Sequence, residues 1–281
     1  MAQARARVPS RREGVGLMSR FDGRAVLVTG AASGMGAATA RALAAEDANV
    51  VLFDLQAELV QRVAAEIGGI AAAGDAGHAP DAERAVAAAV DSFGGLDALV
   101  TCAGADVGGG ALGELTPEDW EAALRANLQT CVVTTKAALP SLIERRGAIV
   151  IVSSLGAFTT GPSIAGYVAA KSGLLGLTHS LAVDYGPLGV RVNAVCPGWI
   201  DTPMVAPAMR DFAEHLGISP EEAYARATRP LPLRRAGTPE EVASVCLFLV
   251  SDDSAFMTGS AIPVDGGTLA ANVGTAAFDP A

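Results

Sequence analysis

Short apolar runs separated by alanine-rich stretches of helical length recur from residue 24 to residue 264, and this alternation constrains the fold more than any other feature. The runs fall at 24–29, 49–53, 70–74, 97–101, 148–153, 190–195 and 261–264. Each is too short for a stable helix. Most are continuous Val, Ile, Leu or Phe, as strands covered on both faces are. Between them lie helical stretches: one opening at Gly34, then 56–67, 80–93, a long one after Thr116, about 165–185, and one after Thr238. Thr116-Pro117-Glu118-Asp119 and Thr238-Pro239-Glu240-Glu241 each offer a hydroxyl cap, a proline at the first helical position and acids in the first turn. Strands and helices in turn predict an α/β fold, a doubly wound parallel sheet of about seven strands with helices on both faces. The third strand is the weakest, because Ala71, Ala72 and Ala73 are poor strand formers.

A chain of 281 residues with 51% hydrophobic residues suits one large core rather than two. We expect a single domain over 21–270, a disordered tail over 1–20, a short tail over 271–281, and a proline-rich helical lobe or lid over 203–235. The tail carries five arginines against Glu13, and Met18 is an alternative start. Its apolar stretch is too short for a secretory signal, and no run of 18 apolar residues is present to span a membrane. A net charge of −10 argues against nucleic acid and anionic membranes as partners, since both need a basic face. The four cysteines form no C-x-x-C pair and have no histidine nearby, so no metal is expected. They read as reduced thiols in a cytoplasmic protein.

In open parallel sheets, ligands bind beyond the carboxyl ends of the strands, so the residues just after each run are the ones to weigh. After the first comes Thr29-Gly30-Ala31-Ala32-Ser33-Gly34-Met35-Gly36, opening a helix. Glycines let the backbone approach a pyrophosphate closely, and the helix start offers unpaired N–H groups and the positive end of its dipole. Asp54 ends the second run about twenty residues on, where a carboxylate can hold the adenosine ribose. Together these give a Rossmann-type dinucleotide site. Leu55 follows Asp54, and Asp75, followed by Ala76, is placed for the adenine edge. Ser33 and Leu55 are neutral where binders of a 2′-phosphate carry a base, so NAD is expected rather than NADP.

Tyr167 and Lys171 stand at i and i+4, on one face of one helix. Ser154 ends the fifth run, and Asn127 lies inside the long helix after Thr116. With the glycine-rich turn, these residues resemble the short-chain dehydrogenase/reductase family in its compact single-domain branch. The resemblance runs from about residue 21 to 269. It includes Arg191-Val192-Asn193, Cys196-Pro197-Gly198 with Thr202, and the closing Val264-Asp265-Gly266-Gly267. One departure is plain: Thr101-Cys102-Ala103-Gly104 stands where the family pattern has two asparagines before Ala-Gly.

The resemblance implies hydride transfer between nicotinamide and a secondary alcohol or ketone. In it Tyr167 is the general acid/base, Ser154 binds the substrate oxygen, and Lys171 holds the nicotinamide ribose and stabilises the tyrosinate. Asn127 would position a water in the proton relay. Cofactor contacts would also come from Cys102, Ala103, Gly104, Pro197, Gly198, Ile200 and Thr202. A homo-tetramer built on the helices around 117–143 and 165–185 is implied as well. The substrate stays open: Leu155, Phe158, Ile164, Trp199, Met204, Met209 and Phe212 could line an apolar pocket or simply pack the lid. A catalytically silent cofactor-binding regulator is a second reading, though it should have lost Tyr167, Lys171 or Ser154. An epimerase or lyase on the same fold is a third, and usually carries a larger substrate domain.

Overall fold

The computed structural model describes residues 19–271, so the expectations for the tails before and after them lie outside the described residues. Seven strands form one sheet: β1 (Ala25–Thr29), β2 (Asn49–Asp54), β3 (Ile70–Ala73), β4 (Ala98–Thr101), β5 (Ala148–Val152), β6 (Arg191–Pro197) and β7 (Ala261–Val264). Their order is β3-β2-β1-β4-β5-β6-β7, and every pair is parallel. The order reverses between β1 and β4, and a crevice opens there at the carboxyl ends of the strands. The alanine-rich β3 forms because β2 pairs with it from Val51↔Ile70 to Asp54↔Ala73. Ladder hydrogen bonds outweigh weak intrinsic propensity there.

Successive strand residues point to opposite faces, and the two cores follow that period of two. Val26, Val28, Val50, Leu52, Val100 and Val150 pack beneath α1 (Gly34–Ala44), α2 (Ala57–Ile67) and α9 (Pro239–Val250). Leu27, Val51, Phe53, Leu99, Ile149 and Ile151 pack beneath α3 (Ala79–Phe93), α5 (Thr130–Arg145) and α6 (Ala165–Tyr185). Burial of these side chains at about 25 cal/mol per Å² drives the layering.

The capping expectations hold. Thr116 and Thr238 each accept the N–H three residues on, and the acids Asp119 and Glu241 bond back to the cap, opening α4 (Pro117–Leu124) and α9. The 203–235 segment contains α7 (Ala206–Leu216) and α8 (Pro220–Thr228), the latter with its own capping box at Ser219 and Glu222. Met209 is buried under this lobe, whereas Trp199 and Met204 stay partly exposed. At the other edge, Arg20 forms ion pairs with Glu46 and Asp253, so the fold begins by residue 20.

The long helix after Thr116 is not regular. Residues Arg125–Gln129 form a π turn between α4 and α5, centred on Asn127. The Asn127 Nδ2 donates to the carbonyl of Ala123, four residues back, at 3.2 Å. That is the carbonyl an α-helical N–H would take, so the side chain competes with the backbone and widens the turn.

Candidate active site

The expected phosphate turn is built as a cradle. A Cβ on Gly36 would collide with the Gly30 carbonyl oxygen, so only glycine lets α1 start this close to the turn. The first N–H groups of α1 are left pointing into a cavity of about 620 Å³. Gly30, Ser33 through Gly36, Asp54, Leu55, Asp75, Ala76 and Cys102 through Gly104 all line it, as the sequence predicts. Its shape and donors fit a dinucleotide. Pro197, Gly198, Ile200 and Thr202 do not line that cavity. Thr202 nonetheless lies against the turn, its Cγ2 3.5 Å from where a Gly34 Cβ would stand.

Asp54 is oriented by two backbone donors: Ala32 N–H to Oδ2 at 3.0 Å and Gln56 N–H to Oδ1 at 2.9 Å. Each oxygen keeps a further lone pair for a ligand hydroxyl. One cation also lines the cavity, and sequence reasoning missed it: Arg125, bonded to Asp75 at 3.1 Å.

Cavity and catalytic residues meet at Gly104. A Cβ there would lie 2.8 Å from Asn127 Oδ1 and 3.5 Å from Lys171 Nζ. Asn127 is buried and holds this loop, with Nδ2 donating to the Ala105 carbonyl at 2.8 Å and Oδ1 accepting the Ala105 N–H at 3.3 Å. Its two side-chain donors are therefore committed to the Ala105 and Ala123 carbonyls. Around the departure after β4, Thr29 Oγ1 accepts the Ala103 N–H at 3.0 Å, and Thr101 Oγ1 donates to Cys131 Sγ at 3.5 Å.

Ser154, Tyr167 and Lys171 converge. A Cβ on Gly156 would lie 3.3 Å from Ser154 Oγ and 3.4 Å from Tyr167 Cε1, so hydroxyl and phenol flank one point. Ser154 Oγ accepts the Gly156 N–H at 3.0 Å, and its own hydroxyl faces the Tyr167 phenol. Burial raises the Tyr167 pKa, the Ser154 hydroxyl lowers it, and the charge of Asp106 raises it again. Lys171 is buried, and its Nζ donates to the Val152 carbonyl at 3.1 Å. Desolvation lowers its pKa to about 8. Ser153, one residue before the expected serine, anchors the same helix by donating to the Lys171 carbonyl at 2.8 Å.

The expected Arg191-Val192-Asn193 motif is a structural clamp. Arg191 donates to the carbonyls of Leu249, Ser251 and Ser254, and Asn193 bridges Met257 and Ser260, so β6 holds the segment leading into β7. The thiols of Cys102 and Cys196 are pushed up by burial to about 12 and about 11, which leaves them poor nucleophiles. Among the described residues, no group of three or more His, Cys, Asp or Glu side chains could hold a metal ion. No helix among them is long and apolar enough to cross a membrane.

Comparison with known proteins agrees with this geometry. Residues 30–268 match a family model described as Enoyl-(Acyl carrier protein) reductase. Protein MoaE of Klebsiella aerogenes is 46% identical over 156 residues, which are 56% of this chain and 61% of that protein. Meso-2,3-butanediol dehydrogenase of Serratia marcescens is 36% identical over 256 residues, covering 90% of this chain and 97% of the relative. The solved structure of actinorhodin polyketide ketoreductase with NADPH superposes with a TM-score of 0.82 at 35% identity, covering 87% of this chain and 97% of that one. By its family-model match, its full-length relatives and its fold, the chain belongs to the short-chain dehydrogenase/reductase family of oxidoreductases.

Proposed function

We propose that this protein is an NAD(H)-dependent oxidoreductase that interconverts a secondary alcohol and a ketone. The observation that carries this reading is the meeting of Ser154, Tyr167 and Lys171, none of which lines the cleft itself, next to Gly104, which lines it together with Asp54. A bound nicotinamide supplies the hydride acceptor or donor. Tyr167 passes the proton to the carbonyl oxygen in reduction and takes it from the hydroxyl in oxidation. The O–H of Ser154 donates to the same substrate oxygen and stabilises the charge that develops on it. Lys171 contributes positive charge near the phenol and a donor for the cofactor ribose. Asn127 holds the Gly104–Ala105 loop against the site, and its bulged helix is where a relay water would sit.

Preference for NAD rests on Asp54 together with neutral Ser33 and Leu55. The solved ketoreductase carries NADPH, so the preference is a property of these residues rather than of the fold. Thr202, with Pro197, Gly198 and Ile200, would close over the nicotinamide end. The substrate is a small alcohol or ketone, a reading supported by the relative named for butanediol and by Met204, an apolar and partly exposed residue that lines the cavity. A homo-tetramer in the cytoplasm completes the reading, supported by exposed Val132 on α5 and Val183 on α6.

The test is a panel of secondary alcohols with the purified full chain and NAD, followed by the absorbance of NADH, with Tyr167→Phe as control. Turnover by the wild type with loss of at least nine-tenths of it in Tyr167→Phe is the expected result. Retention of more than a tenth of the rate by the variant would sink the mechanism.

A further inference from the structure

Arg125 has no part in the chemistry above, yet among the described residues it is the one long basic side chain lining the cofactor cavity. It opens the π turn, and its neighbours on that wall are small: Ala122, Ala126 and Thr130. Its Nη2 donates to Asp75 Oδ2 at 3.1 Å. Asp75 is itself held from three directions: its Oδ1 accepts the Gly77 N–H at 2.7 Å, its N–H donates to Asp81 Oδ2 at 2.9 Å, and its carbonyl accepts the His78 N–H at 2.9 Å. A well-fixed carboxylate therefore steers a guanidinium that is otherwise 61% exposed.

A simple surface ion pair would contribute little to stability here, because both partners are partly in water. The placement has a different consequence. The single bond from Nη2 anchors one end of the guanidinium at the held carboxylate and leaves its faces open, and arginine faces stack on aromatic rings, nucleobases included. Gly74, Asp75 and Ala76 leave the adjoining part of the cavity free of bulk, so a flat ring has room beside that plane. Asp75 also neutralises the charge of Arg125, so the pair adds no free cation to attract a 2′-phosphate.

We propose that Arg125 is a specificity-determining residue for the cofactor, its Asp75-held guanidinium stacking on the adenine ring. This rests on the dinucleotide reading of the cleft. The π turn then has two effects: it puts Asn127 at the Gly104 loop and turns Arg125, two residues earlier, toward the adenine end.

The test is calorimetric titration of the full chain with NADH and with reduced nicotinamide mononucleotide, which lacks adenine, for wild type, Arg125→Ala and Arg125→Lys. Arg125→Ala should weaken NADH about tenfold and leave the mononucleotide unchanged, in keeping with a stacked cation. Arg125→Lys keeps the charge without the plane, and should stay within threefold of the alanine variant. Equal weakening of both ligands, full rescue by lysine, or NADH affinity within twofold of wild type in Arg125→Ala would each overturn the proposal. If wild type binds neither NADH nor NADPH, the dinucleotide reading fails and this one with it. If wild type binds NADH and Arg125→Ala is unaffected, only the role of Arg125 falls.

Discussion

The Lys171 ammonium lies 5.7 Å from the centroid of the Tyr167 ring, one turn along the same helix, and is tied to the Val152 carbonyl rather than to the phenol. In the free protein the phenol is held above its ordinary pKa, chiefly by burial, and the lysine is held below its own, also by burial. The pair is a high-energy arrangement kept for chemistry, and it can be tested through stability.

Lys171→Met should stabilise the fold while abolishing turnover. A lysine lowered from 10.5 to about 8 costs roughly 3 kcal/mol below pH 8, at about 1.36 kcal/mol per unit. Losing the bond to Val152 returns about 1 kcal/mol of that. The melting temperature at pH 7 should therefore rise by about 5 °C. Between pH 8 and 10.5 the unfolded chain holds a proton that the folded wild type has shed, so wild-type stability rises with pH across that window. The advantage of the variant should thus be full below pH 8, and by 10.5 it should have vanished and begun to reverse, because the lost bond to Val152 remains. Thermal unfolding at several pH values checks this; an advantage that does not shrink would contradict the buried-charge explanation.

Asp106→Asn should move the pH dependence of alcohol oxidation to lower pH. Asp106 is exposed on the loop after β4, and its charge is one of the causes that raise the Tyr167 pKa, behind burial. Removing that charge lets the phenol ionise earlier. Salt screens an exposed charge, so the difference between variant and wild type should narrow at high ionic strength. A shift in the opposite direction would show that Asp106 acts through loop structure instead.

Fold and site were unequally legible in the sequence. Most strands announced themselves by runs of apolar residues, because both faces of a parallel sheet are covered. The proposed catalytic residues were legible through the family resemblance: Tyr167 and Lys171 share a helix face, and Ser154 follows β5 by two residues. The π turn was not, since Arg125, Ala126, Leu128 and Gln129 are ordinary helix residues. Only the competition of Asn127 for the Ala123 carbonyl, visible in three dimensions, widens it. Arg125 was missed for a related reason. Ser33 and Leu55 flank the ribose site in sequence, whereas the cation in the cavity comes from a helix 50 residues beyond its partner Asp75.

Assembly gives a third prediction. Val183 on α6 and Val132 on α5 are exposed apolar residues on the two helices proposed to meet their symmetry mates, and burial there would cover them. Light scattering at micromolar concentration should report a tetramer, and Val183→Glu should lower the mass. A wild-type monomer would exclude the proposed assembly.

Discrimination between NAD(H) and NADP(H) should be at least a hundredfold in kcat/KM. The Asp54 carboxylate is fixed by the Ala32 and Gln56 N–H groups and cannot easily turn away. It can accept hydrogen bonds from the ribose hydroxyls, which contribute about 1.5–3 kcal/mol when one partner is charged. A 2′-phosphate in the same place would meet a like charge, at roughly 3 kcal/mol per unit for a separation of about 5 Å and an effective dielectric near 20. Ser33 and Leu55 supply no opposing cation, and Arg125 is already paired with Asp75. Replacing both Asp54→Ala and Leu55→Arg should erase or reverse the preference. Leu55 is the right second site because its side chain is 74% exposed and lines the cavity, so an arginine there reaches the ligand without disturbing the core. Asp75→Asn would free the Arg125 guanidinium and should by itself narrow the ratio. Equal efficiency of the wild type with both cofactors would refute the role given to Asp54.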